Sequence, residues 1–220
     1  MPGAAAFFDL DRTLLRRSSA LALAPAFRAR KLISRRQVAK AAAWQLLFVL
    51  RGVGADAVKR AAEDGLVVLR GFSPAEMQAL VVESMERVLK PLVYAESLDL
   101  VDLHRGRGEP VYIVSATLQE IVQVIADDLG FDGALGTLCE VEDGKYTGKS
   151  IRPLHAENKA RCIQELDYDL TASTAYSDSH TDLPFLEAVG HPVAVNPDRR
   201  LRRVASQRGW PVLQFGRRAA

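Results

Sequence analysis

Cysteine is scarce, with only Cys139 and Cys162 in 220 residues. Two thiols build no disulfide framework, so a small secreted scaffold is excluded and both are expected as small buried hydrophobes. No basic and apolar leader opens the chain, because the first apolar run ends in Asp9; a cytoplasmic location is the expectation. Long apolar runs are also missing. The longest candidate, residues 41–50, is interrupted by Gln45 and is about half the length needed to span a bilayer, so no transmembrane helix is expected. Net charge is only +2 and therefore points to no polyanionic partner. Internal repeats and low-complexity tracts are absent.

What is present suits a globular enzyme. A chain of 220 residues that is 48% apolar can bury a sizeable core. Charge is unevenly placed: from Arg12 to Arg60 twelve Lys or Arg residues face a single acid, Asp56.

The chain is organised around its first strand, Ala5-Ala6-Phe7-Phe8-Asp9-Leu10-Asp11-Arg12-Thr13, where an apolar run delivers two carboxylates two residues apart. Alternation in a continued strand puts Asp9 and Asp11 on one face. Paired carboxylates serve metal binding, proton transfer, or both; a lone pair of this kind is more often an aspartate-rich turn. Residues 16–90 show helix signals and no convincing strand. Ser34 can cap a helix over 35–51, Asp56 one over 57–69, and Ser73-Pro74-Ala75-Glu76 has the residues of a capping box with proline at the first position.

Beyond Pro91 helices and strands alternate. A helix leads to about His104, then Val111-Tyr112-Ile113-Val114-Ser115 reads as a buried strand, with a helix starting at Thr117. Glu142-Asp143-Gly144-Lys145 is a hairpin signal. A helix over 156–166, a strand over 172–176, a helix over 183–189, the strand Pro192-Val193-Ala194-Val195, a basic helix capped by Asp198 and a last strand near 212–215 complete the chain. This order predicts an α/β fold with a mainly parallel sheet, helices on both faces and a small β-hairpin. The core is expected over 1–15 and 91–220, with an inserted all-helical cap over 16–90.

Polar residues gather at the carboxyl ends of the predicted strands, where open parallel sheets bind ligands. Asp9 and Asp11 end the first strand; Ser115 precedes a helix start; Ser177-Asp178-Ser179-His180-Thr181-Asp182 follows a third strand, and Lys159 lies on the helix before it. Carboxylates, a lysine and a hydroxyl together can hold a hard divalent cation and a phosphoryl group.

Asp9-Leu10-Asp11-Arg12-Thr13, Ser115-Ala116-Thr117, Lys159 and Asp178-Ser179-His180-Thr181-Asp182 resemble the four motifs of the haloacid dehalogenase superfamily, in its phosphoserine-phosphatase-like branch with a helical cap between the first two motifs. The resemblance runs from Phe7 to about Asp198 and implies a Rossmann-like core. It implies Asp9 as nucleophile and aspartyl-phosphate carrier, and Asp11 as acid and base. Mg²⁺ is implied on the carboxylates of Asp9 and Asp178 and the carbonyl of Asp11, with Asp182 as ligand or support. Ser115, Ala116 and Lys159 are implied at the phosphoryl oxygens.

The departures from the family pattern concern the substrate. Arg12 replaces a small residue, and is either a phosphate or substrate contact or a solvent-directed side chain. The acid that receives the ammonium of phosphoserine is missing from Arg16-Arg17-Ser18-Ser19, so another substrate is expected. Ser-Ala-Thr stands for Ser-Gly-Gly in the second motif, and Arg161 is the fallback cation for Lys159. His180 is a substrate candidate or a solvated loop histidine; His155 and His191 have no partner at metal-ligand spacing. Basic Arg28, Arg30, Lys31, Arg35, Arg36 and Lys40 run into an apolar helix around Trp44. This suits an amphiphilic phosphate or an anionic membrane surface, with a solvated helix or a homodimer contact as the plainer readings. No nucleic-acid partner is expected, because the basic stretch lacks interleaved aromatics. The expected function is Mg²⁺-dependent hydrolysis of a phosphomonoester; a phosphotransferase or mutase using the same intermediate, or a non-catalytic regulator, are the alternatives.

Overall fold

The computed structural model describes residues 2–30 and 66–216. The expected helix over 35–51, with Trp44 and most of the basic cap stretch, lies outside them.

Seven strands form one sheet, in the order β4-β3-β2-β1-β5-β6-β7. They are β1 (Ala6–Phe8), β2 (Val111–Leu118), β3 (Gly133–Glu142), β4 (Lys145–Arg152), β5 (Thr174–Ser177), β6 (His191–Val195) and β7 (Val212–Leu213). All pairings are parallel except β3 with β4. The hairpin is therefore not an appendage: β3 pairs with β2 on one side and carries β4 to the sheet edge on the other. Its turn uses Asp143 at φ 49° and Gly144 at φ 75°, both in the left-handed region that a two-residue hairpin turn needs.

Both sheet faces are covered, and β1 shows how. Phe8 enters a core on one face with Ile113, Val122, Ile125, Met77 and Leu80. Phe7 enters the other with Val114, Ala175, Ile163, Phe185, Leu201 and Ala205. Adjacent side chains of a strand point to opposite faces, so a strand buried on both sides must be apolar throughout. Helices α1 (Ser19–Ala29), α2 (Pro74–Ser84), α3 (Ala95–Gly106) and α4 (Gln119–Leu129) contribute to the Phe8 side. Helices α5 (Glu157–Gln164), α6 (Leu183–Glu187) and α7 (Arg199–Arg208) contribute to the Phe7 side.

Helix α2 begins as its sequence predicts. Ser73 Oγ accepts the Glu76 N–H at 3.2 Å, and Glu76 Oε2 accepts the Ser73 N–H at 2.9 Å. Two otherwise unpaired donors are thereby satisfied reciprocally.

One expectation is corrected here. Helix α4 does not start at Thr117; β2 continues to Leu118 and the helix begins at Gln119. The strand persists because Leu118 still pairs with Thr137, after a register shift between Val114 and Leu118. The Gln119 side chain then ties the helix start to β3, donating to Ala134 O at 3.1 Å and accepting the Gly136 N–H at 2.6 Å. Gly136 permits this approach, since a Cβ there would lie 2.6 Å from Gln119 Cα.

Candidate active site

Strand β1 delivers Asp9 and stops. The Asp9 N–H donates to Tyr176 O of β5 at 2.9 Å, and one turn follows, closed by the Leu15 N–H on Leu10 O at 2.8 Å. The support beneath is rigid: the Tyr176 ring stacks on Phe8 with centroids 4.4 Å apart. Its hydroxyl meets Nε2 of buried His104 at 2.7 Å, and the His104 Nδ1 is held by Glu109. Nothing in the spacing of the chain marks His104 as part of this support.

Lys159 joins the elements. Its Nζ donates to Asp9 Oδ1 at 2.6 Å and to Asp182 Oδ2 at 2.7 Å, with only 3% of the side chain exposed. The Ser177 hydroxyl also donates to Asp182 Oδ2, at 2.8 Å, and Thr13 Oγ1 lies 3.3 Å from Asp9 Oδ2. Arg161, the alternative cation, is 71% exposed beside Glu157 on the outer face of α5. Two residues on one helix thus have opposite fates: Lys159 shares its face with Ile163, and Arg161 does not.

Asp11 is held by the start of α1. The Ser19 N–H donates to Asp11 Oδ1 at 2.8 Å, and the Ser18 hydroxyl bonds the same carboxylate. Ser18 occupies the N-cap position yet makes no cap bond of its own. The aspartate therefore accepts the free helix donor from outside the helix, in a position favoured by the helix dipole. Ser19 Oγ also meets Thr117 Oγ1 at 3.3 Å, linking α1 to the second motif. In the sequence only two hydroxyls before an apolar helix signal Ser18 and Ser19, and nothing there ties them to Asp11.

In the second motif Ser115 is buried and its Oγ accepts the Thr117 N–H at 3.1 Å, while Ala116 is exposed. In the fourth, Asp178 is buried and has Arg12 Nη1 at 3.9 Å from Oδ2. His180 is engaged elsewhere: its N–H and its Nδ1 meet Asp198 Oδ2 at 2.9 and 2.8 Å, and its Nε2 lies 3.3 Å from Arg200 Nη1. Asp198 also caps α7 by accepting from Arg200 and Leu201, and its own N–H donates to Asp178 O at 2.9 Å. The sequence marks Asp198 only as a cap; in the fold it also fastens the loop bearing Asp178.

The electrostatics follow from this crowding. Burial pushes the Asp9 carboxyl up to about 7; Lys159 opposes the rise, and Asp182 and Asp11 add to it. Burial likewise raises Asp178 well above the usual range, reinforced by Asp9 and opposed by Arg12. Asp11 is raised by burial against the pull of its Ser19 and Ser18 bonds. Burial disfavours the Lys159 ammonium, but Asp182 and Asp9 override it and hold the lysine above its ordinary value. Lys159 stays charged, whereas the carboxylates are short of compensating positive charge.

That shortage tests the fit of a metal. Four carboxylates of hard oxygen character, Asp9, Asp11, Asp178 and Asp182, meet one buried ammonium and one partly exposed guanidinium. Such a donor set suits Mg²⁺, which prefers carboxylates, carbonyls and water. Among the described residues no three acidic, histidine or cysteine groups are already gathered as a metal cluster.

Comparison with known proteins places the chain in a family. The family profile described as haloacid dehalogenase-like hydrolase matches residues 6–187. A Mycobacterium tuberculosis protein named as a probable phosphatase is 46% identical over 217 residues, covering 97% of this chain and 76% of its own length. Another from that species, named a phosphoserine phosphatase, is 37% identical over 218 residues, covering 96% of this chain and 71% of its own. A crystal structure of a Bordetella pertussis protein of unknown function superposes with a TM-score of 0.81 at 31% identity, over 97% of this chain and 99% of that one.

Proposed function

Because the chain belongs to the haloacid dehalogenase-like hydrolase family, we propose that it is a Mg²⁺-dependent phosphatase that hydrolyses a small or amphiphilic phosphomonoester through an aspartyl phosphate on Asp9. The observation that carries this reading is the buried Lys159 bridge between Asp9 and Asp182 at the carboxyl edge of the sheet.

In this reading an Asp9 oxygen attacks phosphorus in line with the ester oxygen, and the bond to the leaving alcohol breaks. Asp11 gives its proton to that oxygen, then takes one from the water that attacks the acyl phosphate, returning Asp9 and inorganic phosphate. The raised Asp11 carboxyl suits a group that starts as an acid. Lys159 fixes the Asp9 side chain and offsets the charge that collects on the phosphoryl oxygens, to which Ser115 and the Ala116 backbone contribute donors. Mg²⁺ would be held by the carboxylates of Asp9 and Asp178 and the Asp11 carbonyl, with Asp182 in support. When bound it supplies the positive charge that lets a carboxylate approach an anionic phosphate.

We assign residues 16–90 to a cap that selects the leaving group, and the remainder to the catalytic core. The Arg16-Arg17-Ser18-Ser19 stretch, with Ser18 and Ser19 directed to Asp11, supports a substrate other than phosphoserine. Phosphate release with Mg²⁺ tests the whole reading. The panel is phosphoserine, sugar phosphates, glycerol phosphate, histidinol phosphate, phosphocholine and lysophosphatidate, beside an Asp9→Asn control. Turnover that Asp9→Asn abolishes is the expected result; turnover that survives it removes Asp9 from the mechanism.

A further inference from the structure

Arg12 sits in a backbone conformation that arginine disfavours. Its φ of 65° lies in the left-handed region, where a Cβ crowds the following carbonyl and glycine sits without strain. Strain of this kind persists where the surrounding fold imposes it, and it clusters at ligand sites. The turn brings Arg12 Nη1 to 3.9 Å from Asp178 Oδ2, with 27% of the side chain exposed. That separation is beyond hydrogen-bond range, so the guanidinium keeps its donors for another acceptor.

A second cation, Arg16, follows four residues along the chain. The Arg16 guanidinium lies 5.6 Å over the Tyr94 ring. Tyr94 is fixed by an edge contact with Phe215 at 5.5 Å and by its N–H on Leu14 O at 3.0 Å, and its hydroxyl lies beside the Asn196 side chain. Asn196 follows β6, as Asp178 follows β5, so this aromatic floor adjoins the loop that Arg12 faces. With Asp178 engaged by a cation, Arg12 would face like charge and turn to whatever anion enters.

The geometry points to a second-anion subsite: Arg12, seconded by Arg16 on Tyr94, receives a carboxylate or second phosphate that the substrate carries beyond its ester phosphate. The planar guanidinium matches either group with paired hydrogen bonds. This rests on the phosphatase reading and narrows its substrate class.

Matched esters test it: 3-phosphoglycerate, which carries a carboxylate, against glycerol 3-phosphate, which does not. The native enzyme is expected to prefer the former by roughly tenfold or more in kcat/KM, the scale of a charge-assisted bond. Arg12→Gly should bring the two within about threefold, mainly through KM, and Arg16→Ala should reduce the preference in part. Glycine relieves the left-handed strain, so Arg12→Gly should melt no lower than the native protein, and a lost preference is then not misfolding. Equal use of both esters by the native enzyme, or a preference that survives Arg12→Gly, overturns the subsite. Calorimetric titration of Asp9→Asn with the same two esters, with and without Arg12→Gly, reads the preference without turnover. Should Asp9-dependent hydrolysis of p-nitrophenyl phosphate be absent, the phosphatase reading fails and the binding preference still decides the subsite.

Discussion

The Ser19 N–H, at the first residue of α1, donates to Asp11 Oδ1 at 2.8 Å. The group assigned to proton transfer is thus oriented by the helix that opens the 16–90 segment. Catalysis by a positioned acid or base is sensitive to such orientation.

Asp11→Asn keeps an acceptor for that N–H but has no proton to exchange. On alkyl phosphates kcat should fall by about 10²–10⁴-fold. With p-nitrophenyl phosphate, whose leaving group needs no acid, the first step should survive and the second should not. Rapid-mixing kinetics should then show a burst of p-nitrophenol approaching the enzyme concentration, with little turnover after it; steady turnover at the native rate would remove Asp11 from its role.

Lys159→Met is the corresponding test of the bridge. It leaves Asp9 and Asp182 buried without their cation, a change that typically costs about 3–5 kcal/mol while the carboxylates stay ionised. Lys159 is what opposes the rise at Asp9, so loss of the ammonium pushes the Asp9 carboxyl further up, and the variant should regain stability as that carboxyl protonates. Thermal melts should therefore show a larger deficit at pH 8 than at pH 5; a deficit independent of pH would mean that the bridge is not what the lysine supplies.

The same sign governs metal binding. Asp9 is raised to about 7, above its unfolded value of 3.8. Its contribution to stability is complete below the lower value and is lost as pH rises through the higher one. A cation that engages the ionised carboxylates relieves this loss, so the rise in Tm on adding Mg²⁺ should be greater at pH 8 than at pH 5, and binding at pH 7 should release protons. Calorimetry in buffers of different ionisation enthalpy counts those protons, and a buffer-independent heat would contradict the expectation.

Helix α2 offers a test remote from the chemistry. Ser73→Ala should cost about 1 kcal/mol, the usual worth of an N-cap hydroxyl. Glu76 is held below its ordinary value by the Ser73 N–H and hydroxyl. Its part is present above the unfolded value and is lost as pH falls through the lower, folded one. Glu76→Gln should accordingly depress Tm at neutral pH and converge with the native protein in acid; equal depression at both would dismiss the capping charge.

Local chemistry made the elements legible. The Ser73 box and the Asp198 cap are fixed by side chains within three residues of the backbone they satisfy, and the Asp143-Gly144 turn by the left-handed backbone those two residues tolerate. The apolar run through Ile113 and Val114 announces a strand buried on both faces, and the two side chains enter opposite cores. At the end of β2, where the fold departs from the local signal, the deciding contact is Leu118 with Thr137 on another strand. No local propensity carries that pairing.

The sequence by itself determined the alternation of elements, the parallel sheet and the identity of the groups that meet at its edge, because periodicity and capping act over a few residues. Tertiary structure alone decided which of those groups face one another. It turned Lys159 inward and Arg161 outward, gave His180 to Asp198, directed Ser18 and Ser19 to Asp11, and set Arg12 in a left-handed turn beside Asp178. The physical reason is range: charge, burial and hydrogen bonding between residues 150 positions apart, as Asp9 and Lys159 are, arise only when the packed core brings their strands and helices to one edge.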